Sequence, residues 1–358
     1  MVDYSLFKED VEGLCKILVP RDSKVSRDLP VFFNSAMKHN RDLSIILLNC
    51  LNRDDFKISL PLAGTGVRGV RFLKELPPKF IKSIHFNDCS SDALDLIKKN
   101  LKLNKVIIKD KVFFSKNDAS KFLLDSSMFN YIDIDPFGPP GPFLDAAVRR
   151  IVRGGVLAVT ATDTGALCGS FPKACRRKYW AESRKTPIMH ETGLRILIRK
   201  VQLFASQYEV ALNPIFSYSK DHYMRVFFSV KNGKSVVDKV LKQHKFHGEI
   251  GPLWFGKLFD ASLVSSMNEF AKSAEQFSSD SALIKFLELL NSESTFDFGF
   301  YDLHALAKSL KLSGCPSFDI VEKELISQGF TFSRTHFSRY GMKSNVSEEK
   351  LIKILKKL

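Results

Sequence analysis

Residues 57–69 read Lys57-Ile-Ser-Leu-Pro-Leu-Ala-Gly-Thr-Gly-Val-Arg-Gly69, an apolar strand that runs into a glycine loop. Gly64, Gly66 and Gly69 fit the G-x-G-x-x-G fingerprint, in which glycine lets the backbone approach a nucleoside cofactor closely. Asp88 follows the next apolar run, where a carboxylate can accept two ribose hydroxyls. The loop suits the pyrophosphate of NAD or the methionyl carboxylate of S-adenosylmethionine, and a tight turn without a ligand is the third interpretation.

Short apolar runs alternate with helical patterns on both sides of this loop. Strands are predicted over 57–63, 82–86, 111–114, 131–134, 155–160, 209–218 and 223–230, and helices over 44–51, up to 76, 92–100, 119–124, 142–152 and 191–207. This βαβα alternation predicts an α/β fold with a parallel, doubly wound sheet of seven strands. Ligands of such sheets lie beyond the carboxyl ends of the strands, where the glycine loop and Asp88 both fall.

The sequence changes character after Val230, because the next stretch is rich in lysine and contains a glycine. We predict a first domain over 1–232 and a smaller α+β domain over 233–358. Within the second domain the patterns predict a helix over 304–312, a helix over 316–328, which Gly329 stops, and a β-like run over 330–337. This order is typical of a helix–helix–hairpin unit and is compatible with a winged-helix-like domain.

The charge balance points to the class of partner. The 358 residues include 54 Lys and Arg against 39 Asp and Glu, a formal net charge of +15. This excess favours a nucleic-acid partner, and a merely basic soluble surface is the alternative. The six cysteines form no Cys-x-x-Cys pair, and no apolar run has the membrane-spanning length of about 18 residues. We therefore expect a cytoplasmic protein without a membrane span, a disulfide framework or a metal.

The segment Asp133-Ile-Asp-Pro-Phe-Gly138 ends a predicted strand with an acid, a proline and an aromatic ring. An exocyclic amino group of a nucleobase is a poor nucleophile, because its lone pair is delocalised into the ring. The carboxylate of Asp135 can accept one N–H and later the proton, the carbonyl of Pro136 can accept the other N–H, and Phe137 can stack on the base. The alternative is a strand that ends in an ordinary Asp-Pro turn.

Residues after the third predicted strand bear on the choice of cofactor. Asp118 can accept from an adenine amino group while the Ala119 amide donates to a ring nitrogen, although Asp118 is also a good helix N-cap. Asp135 and Phe137 then favour S-adenosylmethionine, because a hydride-transfer enzyme needs no paired acceptors beside an aromatic ring. An NAD-dependent oxidoreductase remains an alternative at this stage.

Ordered motifs extend over nearly the whole chain. They are Pro30-Val-Phe-Phe-Asn34, Asn40-Arg-Asp42, Thr65-Gly-Val-Arg-Gly-Val-Arg-Phe72, Asp133-Ile-Asp-Pro-Phe-Gly138, Val159-Thr-Ala-Thr-Asp163, Leu167-Cys-Gly169, Lys173-Ala-Cys-Arg-Arg-Lys-Tyr179, Lys220-Asp-His-Tyr223, Gly251-Pro-Leu-Trp254 and Arg334-Thr-His-Phe-Ser338. In these motifs the chain resembles the tRNA (guanine(26)-N2)-dimethyltransferase family. The resemblance implies a Rossmann-like class I methyltransferase sheet, S-adenosylmethionine as cofactor, tRNA as partner and a monomeric enzyme. Its products would be N2-methyl- and N2,N2-dimethylguanosine.

The resemblance also implies roles for individual residues. The cofactor would contact Arg41, Gly64, Thr65, Gly66, Arg68, Asp88, Asp118 and Ala119. The guanine would contact Phe32, Phe137 and Gly138, and the catalytic residues would be Asp135, Pro136 and Phe137. Residues 1–232 would form the S-adenosylmethionine-dependent methyltransferase domain, in which the segment 1–40 helps to form the base pocket. Residues 233–358 would form a tRNA-binding domain. Candidates for contacts with tRNA phosphates are Arg176, Arg177, Lys178, Arg334 and Lys343, for which a solvated surface is the structural alternative.

Two departures from the family pattern are visible in the sequence. Leu60 stands where family members commonly have an acid, so Asp133 or a backbone carbonyl would have to hold the cofactor ammonium. The cysteines of a zinc site found in some relatives are missing.

A DNA amino-methyltransferase is a further alternative, although such enzymes typically have Pro-Pro before the aromatic. A non-catalytic basic RNA-binding protein on the same fold is another.

Overall fold

The structure is a computed structural model that describes residues 4–21, 31–107 and 110–358. Pro30 and part of the predicted 1–40 segment lie outside these ranges. Up to Asn232 the strands are β1 (Phe7–Glu12), β2 (Cys15–Pro20), β3 (Phe56–Leu60), β4 (Ile81–Asn87), β5 (Val112–Ser115), β6 (Phe129–Ile134), β7 (Ile151–Ala161), β8 (Val210–Lys220) and β9 (Tyr223–Asn232). The helices are α1 (Lys38–Cys50), α2 (Val67–Glu75), α3 (Ser91–Leu103), α4 (Ala119–Asp125), α5 (Gly141–Arg150), α6 (Thr164–Leu167), α7 (Pro172–Tyr179) and α8 (Met189–Ser206), with 3-10 turns at Tyr4–Leu6 and Ser35–Met37.

Shorter elements follow Asn232. They are α9 (Lys234–Leu241), β10 (His244–His247), β11 (Ile250–Trp254), α10 (Ala261–Ser273), α11 (Glu275–Ser278), α12 (Ser281–Glu293), β12 (Tyr301–Asp302), α13 (Leu303–Ser309), α14 (Phe318–Ser327), β13 (Ser333–Arg334), β14 (Gly341–Lys343) and α15 (Glu348–Leu355). None of the helices among the described residues is both long and apolar enough to cross a bilayer.

The central sheet has seven strands in the order β5-β4-β3-β6-β7-β9-β8. This count and the α/β class confirm the prediction from the sequence. Strands β3 to β7 run parallel, whereas β9 is antiparallel to both β7 and β8. The expectation of a purely parallel sheet is therefore wrong for β9. The two-residue turn between β8 and β9 allows only an antiparallel pairing, because parallel strands need a long crossover.

The glycine loop joins β3 to α2 in close contact with the sheet. Gly66 has φ +74°, and a Cβ at this position would lie 2.6 Å from Ile97. A Cβ at Gly69 would lie 2.2 Å from the ring of Phe86. Gly66 therefore excludes larger residues both by its positive φ and by its contact with Ile97. Gly69 excludes them because α2 packs directly on β4.

The first helix of the fold begins at Lys38 rather than near Ser44, where the apolar periodicity begins. The earlier turn contains Asn40, Arg41 and Asp42, and all three side chains are buried. Polar residues at buried positions break the amphipathic pattern that the sequence prediction relied on. Their burial here depends on the ion pairs described below.

The remaining chain adds a helix–helix–hairpin unit, as the sequence predicted. Helices α13 and α14 precede β13 and β14, which form a three-stranded sheet with β12. A separate apolar cluster in this region includes Leu303, Val321 and Leu351, whereas α10 and α12 pack on the core of the large sheet. The domain boundary at 232/233 and the winged-helix-like character of the second domain stay predictions.

Candidate active site

A cleft of about 650 Å³ lies where β3, β6 and β7 end. Its wall contains most of the predicted site residues, namely Phe32, Arg41, Gly64, Thr65, Arg68, Asp135, Pro136, Phe137 and Gly138. It also contains Asp163, Lys178 and, from the turn between β8 and β9, Asp221 and His222. The wall does not include the remaining predicted cofactor residues, which are Gly66, Asp88, Asp118 and Ala119. The Asp135-Pro136-Phe137 motif and the glycine loop therefore share one cavity.

Asp135 leaves the end of β6 and forms an ion pair with Arg68 from α2. The Arg68 Nη2 atom donates to Asp135 Oδ2 at 2.5 Å. Arg68 also donates to Ser44 Oγ and to Asn40 Oδ1, each at 2.8 Å. These contacts fix the guanidinium against α1, so Arg68 can orient the Asp135 carboxylate. The carboxylate itself is still 22% exposed and faces the cleft.

Asp133 is held in a different way from Asp135. Its carboxylate accepts two bonds from Arg225 on β9, at 2.7 and 2.8 Å, and one from the Tyr131 hydroxyl at 2.6 Å. Burial opposes ionisation of Asp133, but the charges of Arg225 and Arg68 outweigh it and lower the pKa from 3.8 to about 2. Asp133 is thus ionised, and the two arginines already compensate its negative charge. We expect a backbone carbonyl, rather than Asp133, to replace the acid missing at Leu60.

The two predicted aromatic residues meet at the mouth of the cleft. The rings of Phe32 and Phe137 are edge to face, with centroids 5.9 Å apart and planes inclined by 74°. Both rings are large exposed apolar groups, at 42% and 54% of their surface. The Gly138 amide next to Phe137 donates to Thr162 Oγ1 at 2.7 Å, which anchors the turn after β6 to the end of β7. The motif thus presents an aromatic platform on a fixed backbone.

The predicted ribose and adenine residues occupy neighbouring turns. Asp88 accepts from the Gly64 amide at 2.9 Å and from the Ser90 amide at 3.0 Å, so its side chain closes the glycine loop. Asp118 caps α4 by accepting from the Ser120 and Lys121 amides. The N-cap alternative for Asp118 is therefore present in the structure. Carboxylate oxygens have further lone pairs, so neither contact excludes a ligand.

Arg41 lines the cleft, but its guanidinium is paired with Glu12 from the amino-terminal hairpin. Arg41 Nε and Nη2 donate to the two oxygens of Glu12 at 2.6 and 2.5 Å, and Nη1 donates to the Asn34 carbonyl at 3.2 Å. Glu12 also accepts from Arg71 at 2.9 Å, and Arg71 in turn binds Asp42 and Glu75. An arginine has five N–H groups, so two of those on Arg41 are left for a ligand.

Sequence reasoning did not identify Glu12, Arg71 or Arg225. Arg225 is the one of the three with a clear signal, since it interrupts the apolar run Tyr223–Phe228 in a strand that is otherwise buried. A charged residue at a buried strand position requires a buried partner, which here is Asp133. Glu12 has no such signal, because it ends a short strand with exposed neighbours.

The pKa of Glu12 provides a test of this ion-pair cluster. Burial opposes ionisation, but Arg41 and Arg71 lower the pKa from 4.5 to about 2. The folded pKa lies below the unfolded one, so the ionised carboxylate stabilises the fold above pH 4.5 and this contribution is lost as the pH falls towards 2. We expect the free energy of unfolding, measured by urea titration, to fall less steeply over this range in Glu12→Gln than in the wild type. Equal pH slopes for the two proteins would contradict the assignment.

The five candidates for phosphate contacts differ in accessibility. Arg176 is exposed and paired with Glu182 at 2.7 Å, Arg177 is exposed, and Lys178 lines the cleft while donating to Asp163 at 3.2 Å. Arg334 is exposed with its guanidinium over the ring of Phe318.

Lys343 is wrongly assigned as a phosphate contact. Its side chain is buried, and Nζ donates to Glu191 at 3.1 Å and to the carbonyls of Asp297 and Gly299 at 3.0 and 2.9 Å. An ammonium has three donors, and all three are used within the protein.

A group of potential metal ligands lies at the start of α1. Within the described ranges, His39, Asp42 and Asp280 have ligand atoms within 4.8 Å of one another. Lys38 donates to both carboxylates, at 2.8 and 3.2 Å, and so supplies the positive charge in that position. The expectation that the protein needs no metal stays a prediction.

Comparison with known proteins gives one family. The family model for N2,N2-dimethylguanosine tRNA methyltransferase matches residues 13–248 and 244–356. The chain is 36% identical to a tRNA (guanine(26)-N(2)/guanine(27)-N(2))-dimethyltransferase of Aquifex aeolicus, covering 97% of this chain and 95% of the relative. It is 37% identical to a tRNA (guanine(26)-N(2))-dimethyltransferase of Pyrococcus furiosus, with 97% of each chain covered.

A solved structure extends this likeness to three dimensions. Trm1 from Pyrococcus horikoshii, in complex with S-adenosyl-L-methionine, superposes with a TM-score of 0.88 at 34% identity, covering 97% of this chain and 99% of that one. The Rossmann-like methyltransferase sheet and the family resemblance are both confirmed. The chain belongs to the N2,N2-dimethylguanosine tRNA methyltransferase family.

Proposed function

We propose that this protein transfers methyl groups from S-adenosylmethionine to N2 of guanine 26 in tRNA, giving N2-methyl- and N2,N2-dimethylguanosine. The observation that carries the proposal is the position of Asp135, Pro136 and Phe137 in one cleft with the glycine loop. The curated relatives named above act on the same atom of tRNA.

The cleft has features that fit the cofactor. Gly64 and Gly66 both have positive φ, and a Cβ on Gly64 would lie 3.0 Å from the carbonyl of Phe32. At these two positions the loop carries no side chain that would block a cofactor. Thr65, Arg68 and the two remaining N–H groups of Arg41 would hold the methionyl end, and Asp88, Asp118 and Ala119 the adenosine. When bound, S-adenosylmethionine supplies an electrophilic methyl group on its sulfonium.

The protein's own contribution is to orient the amino group and accept its proton. Asp135 would accept one N–H of guanine N2, and the Pro136 carbonyl would accept the other. Positive charge develops on this nitrogen as it forms its new bond, so the Asp135 carboxylate binds the transition state more strongly than the substrate. Arg68 Nη2 donates to Asp135 Oδ2 at 2.5 Å and so holds the carboxylate in position. After one methylation an N–H group remains, so a second round is chemically possible.

The base would enter between Phe32 and Phe137. Each stacking contact contributes about 1–3 kcal/mol and accepts any base, so it does not select guanine. A guanine paired in a helix must leave its stack to reach the cleft. Lys178 in the cleft wall, with Arg176 and Arg177 on the same helix, would contact the neighbouring phosphates.

The proposal extends to the setting of the enzyme. We infer a cytoplasmic monomer without a resident metal. All six cysteines are free thiols, which suits a reducing compartment.

One experiment tests the activity. The protein is incubated with S-adenosylmethionine and unmodified tRNA transcripts that carry G or A at position 26, and the nucleosides are analysed by mass. We expect mono- and dimethylated guanosine from the G26 transcript only. A DNA duplex included as a parallel substrate separates the DNA-methyltransferase alternative. If the G26 transcript binds but gains no methyl group, the protein is a non-catalytic RNA-binding protein and the proposal is wrong.

A further inference from the structure

A second cavity, of about 640 Å³, adjoins the active-site cleft. Most of its lining comes from three parts of the chain, namely the end of β8, one side of α12 and the chain from Arg334 of β13 onward, and His190 of α8 completes it. Asp221, in the turn between β8 and β9, lines both cavities. The two cavities are therefore neighbours across a single turn.

The lining of this second cavity is strongly cationic. It contains Lys220, Lys285, Arg334 and Arg339, and we call it the basic groove. Throughout residues 4–21, 31–107 and 110–358 these four side chains take part in no ion pair with a carboxylate. The groove's own acids are Asp221 and Glu288, and Glu288 is paired with Lys272 at 2.6 Å.

Aromatic rings keep three of these cations in place. Lys220 lies 5.1 Å from the ring centroid of Phe286, Arg334 lies 4.4 Å from that of Phe318, and Arg339 lies 4.5 Å from that of Tyr340. A cation over a ring keeps its charge available to a ligand while its side chain is restrained. Such cations bind a polyanion at a lower cost in side-chain entropy than freely rotating ones.

The wall of the basic groove is tied together by a buried hydrogen-bond cluster. His336 binds Glu293 of α12 through Nδ1, and its Nε2 atom accepts from the Ser219 amide of β8 at 3.2 Å. Glu293 also accepts from the His336 amide at 3.2 Å. His336 thus connects its own segment to both β8 and α12, so the cations have a fixed position relative to the cleft.

We propose that the basic groove binds the ribose–phosphate backbone of tRNA beside the target guanosine. This inference rests on the proposed function and extends it. Lys and Arg side chains contact phosphates without reading bases, so the groove would position the strand while the cleft recognises the nucleobase. Since the groove meets the cleft at Asp221, the nucleotides that it holds are those adjoining the methylated one.

The test compares two double variants of the full-length protein. Lys285→Ala/Arg334→Ala removes two exposed cations from the groove. Lys308→Ala/Lys323→Ala removes two exposed cations from α13 and α14, outside the groove, and is the matched control. Binding of unmodified G26 transcript is measured over a salt series, together with S-adenosylmethionine affinity and KM for tRNA. Thermal melting checks that each variant folds.

For the groove variant we expect the slope of log K against log salt to decrease by about 2, since each lost phosphate contact lowers it by about 1. KM for tRNA should rise, while S-adenosylmethionine affinity stays at the wild-type value. The control should retain the wild-type slope.

If the groove variant keeps the wild-type salt slope and the wild-type KM for tRNA, the proposal that the groove binds tRNA is wrong, even if the wild-type enzyme methylates G26. Equal losses in groove and control variants would also overturn it, because they indicate a diffuse charge effect. Since Arg334 packs on Phe318, the single variant Lys285→Glu replaces the double variant if the latter melts early. Lys285→Glu should also lower the slope of log K against log salt. An unchanged slope would refute tRNA binding by the groove. Failure of the proposed function would show separately, as binding of tRNA without methylation by the wild type.

Discussion

Asp135→Ala is expected to reduce methylation of the G26 transcript by about 10²–10⁴-fold, the contribution typical of a positioned general base. The carboxylate is at once the acceptor for the amino group and the charge that stabilises the developing cation, so its loss acts on kcat more than on KM for tRNA. Asp135→Asn keeps the shape but not the charge and should be nearly as inactive. Rates are measured by transfer of labelled methyl groups at saturating tRNA.

The fold should survive this change. Asp135 is partly exposed, and Arg68 keeps its bonds to Ser44 and Asn40 when the carboxylate is removed. Asp125→Ala, which removes an exposed carboxylate at the end of α4, is the matched control and should retain the wild-type rate. Near wild-type turnover in a well-folded Asp135→Ala would refute the role of this residue.

Arg71→Met is expected to lower the free energy of unfolding by about 3–5 kcal/mol, because breaking a buried ion pair leaves uncompensated charge in the interior. Arg71 is fully buried and donates to Glu12, Asp42 and Glu75. Methionine approximates its volume but leaves these carboxylates with fewer partners. The measurement is urea denaturation at neutral pH.

A surface ion pair supplies the comparison. Lys272→Met breaks the contact with Glu288, in which both side chains are about half exposed, and should cost less than about 1 kcal/mol. If Arg71→Met were no more destabilising than Lys272→Met, the cluster around Arg71 would be unimportant for stability.

The sequence was sufficient for those parts of the fold that follow from periodicity and turn chemistry. The glycine loop, the seven strands and the Asp135-Pro136-Phe137 motif were all predicted, because apolar runs and glycine constraints are local. The direction of β9 was missed, since strand direction depends on the length of the β8–β9 turn rather than on the strand itself.

Pairings between distant charges could not be predicted from the sequence. Glu12 meets Arg41 and Arg71 only because the amino-terminal hairpin packs against α2 and α3. Lys343 illustrates the opposite error: in sequence it belongs to a basic, polar stretch, but in the fold it points inward to Glu191. Burial of a charge is a property of the packing of whole elements, and no local pattern reports it.

The contact between Phe32 and Phe137 has a consequence for which molecules can use the cleft. Two stacked van der Waals contacts, one on each face of a base, require about 7–8 Å between the flanking rings. The rings are now 5.9 Å apart at their centroids. A planar molecule must therefore compete with an aromatic contact that the protein makes with itself. A free nucleoside would be held by the cleft alone, whereas a polynucleotide would also be anchored along its backbone and would have more binding energy to separate the rings. We therefore expect the aromatic pair to favour a polynucleotide over a free nucleoside.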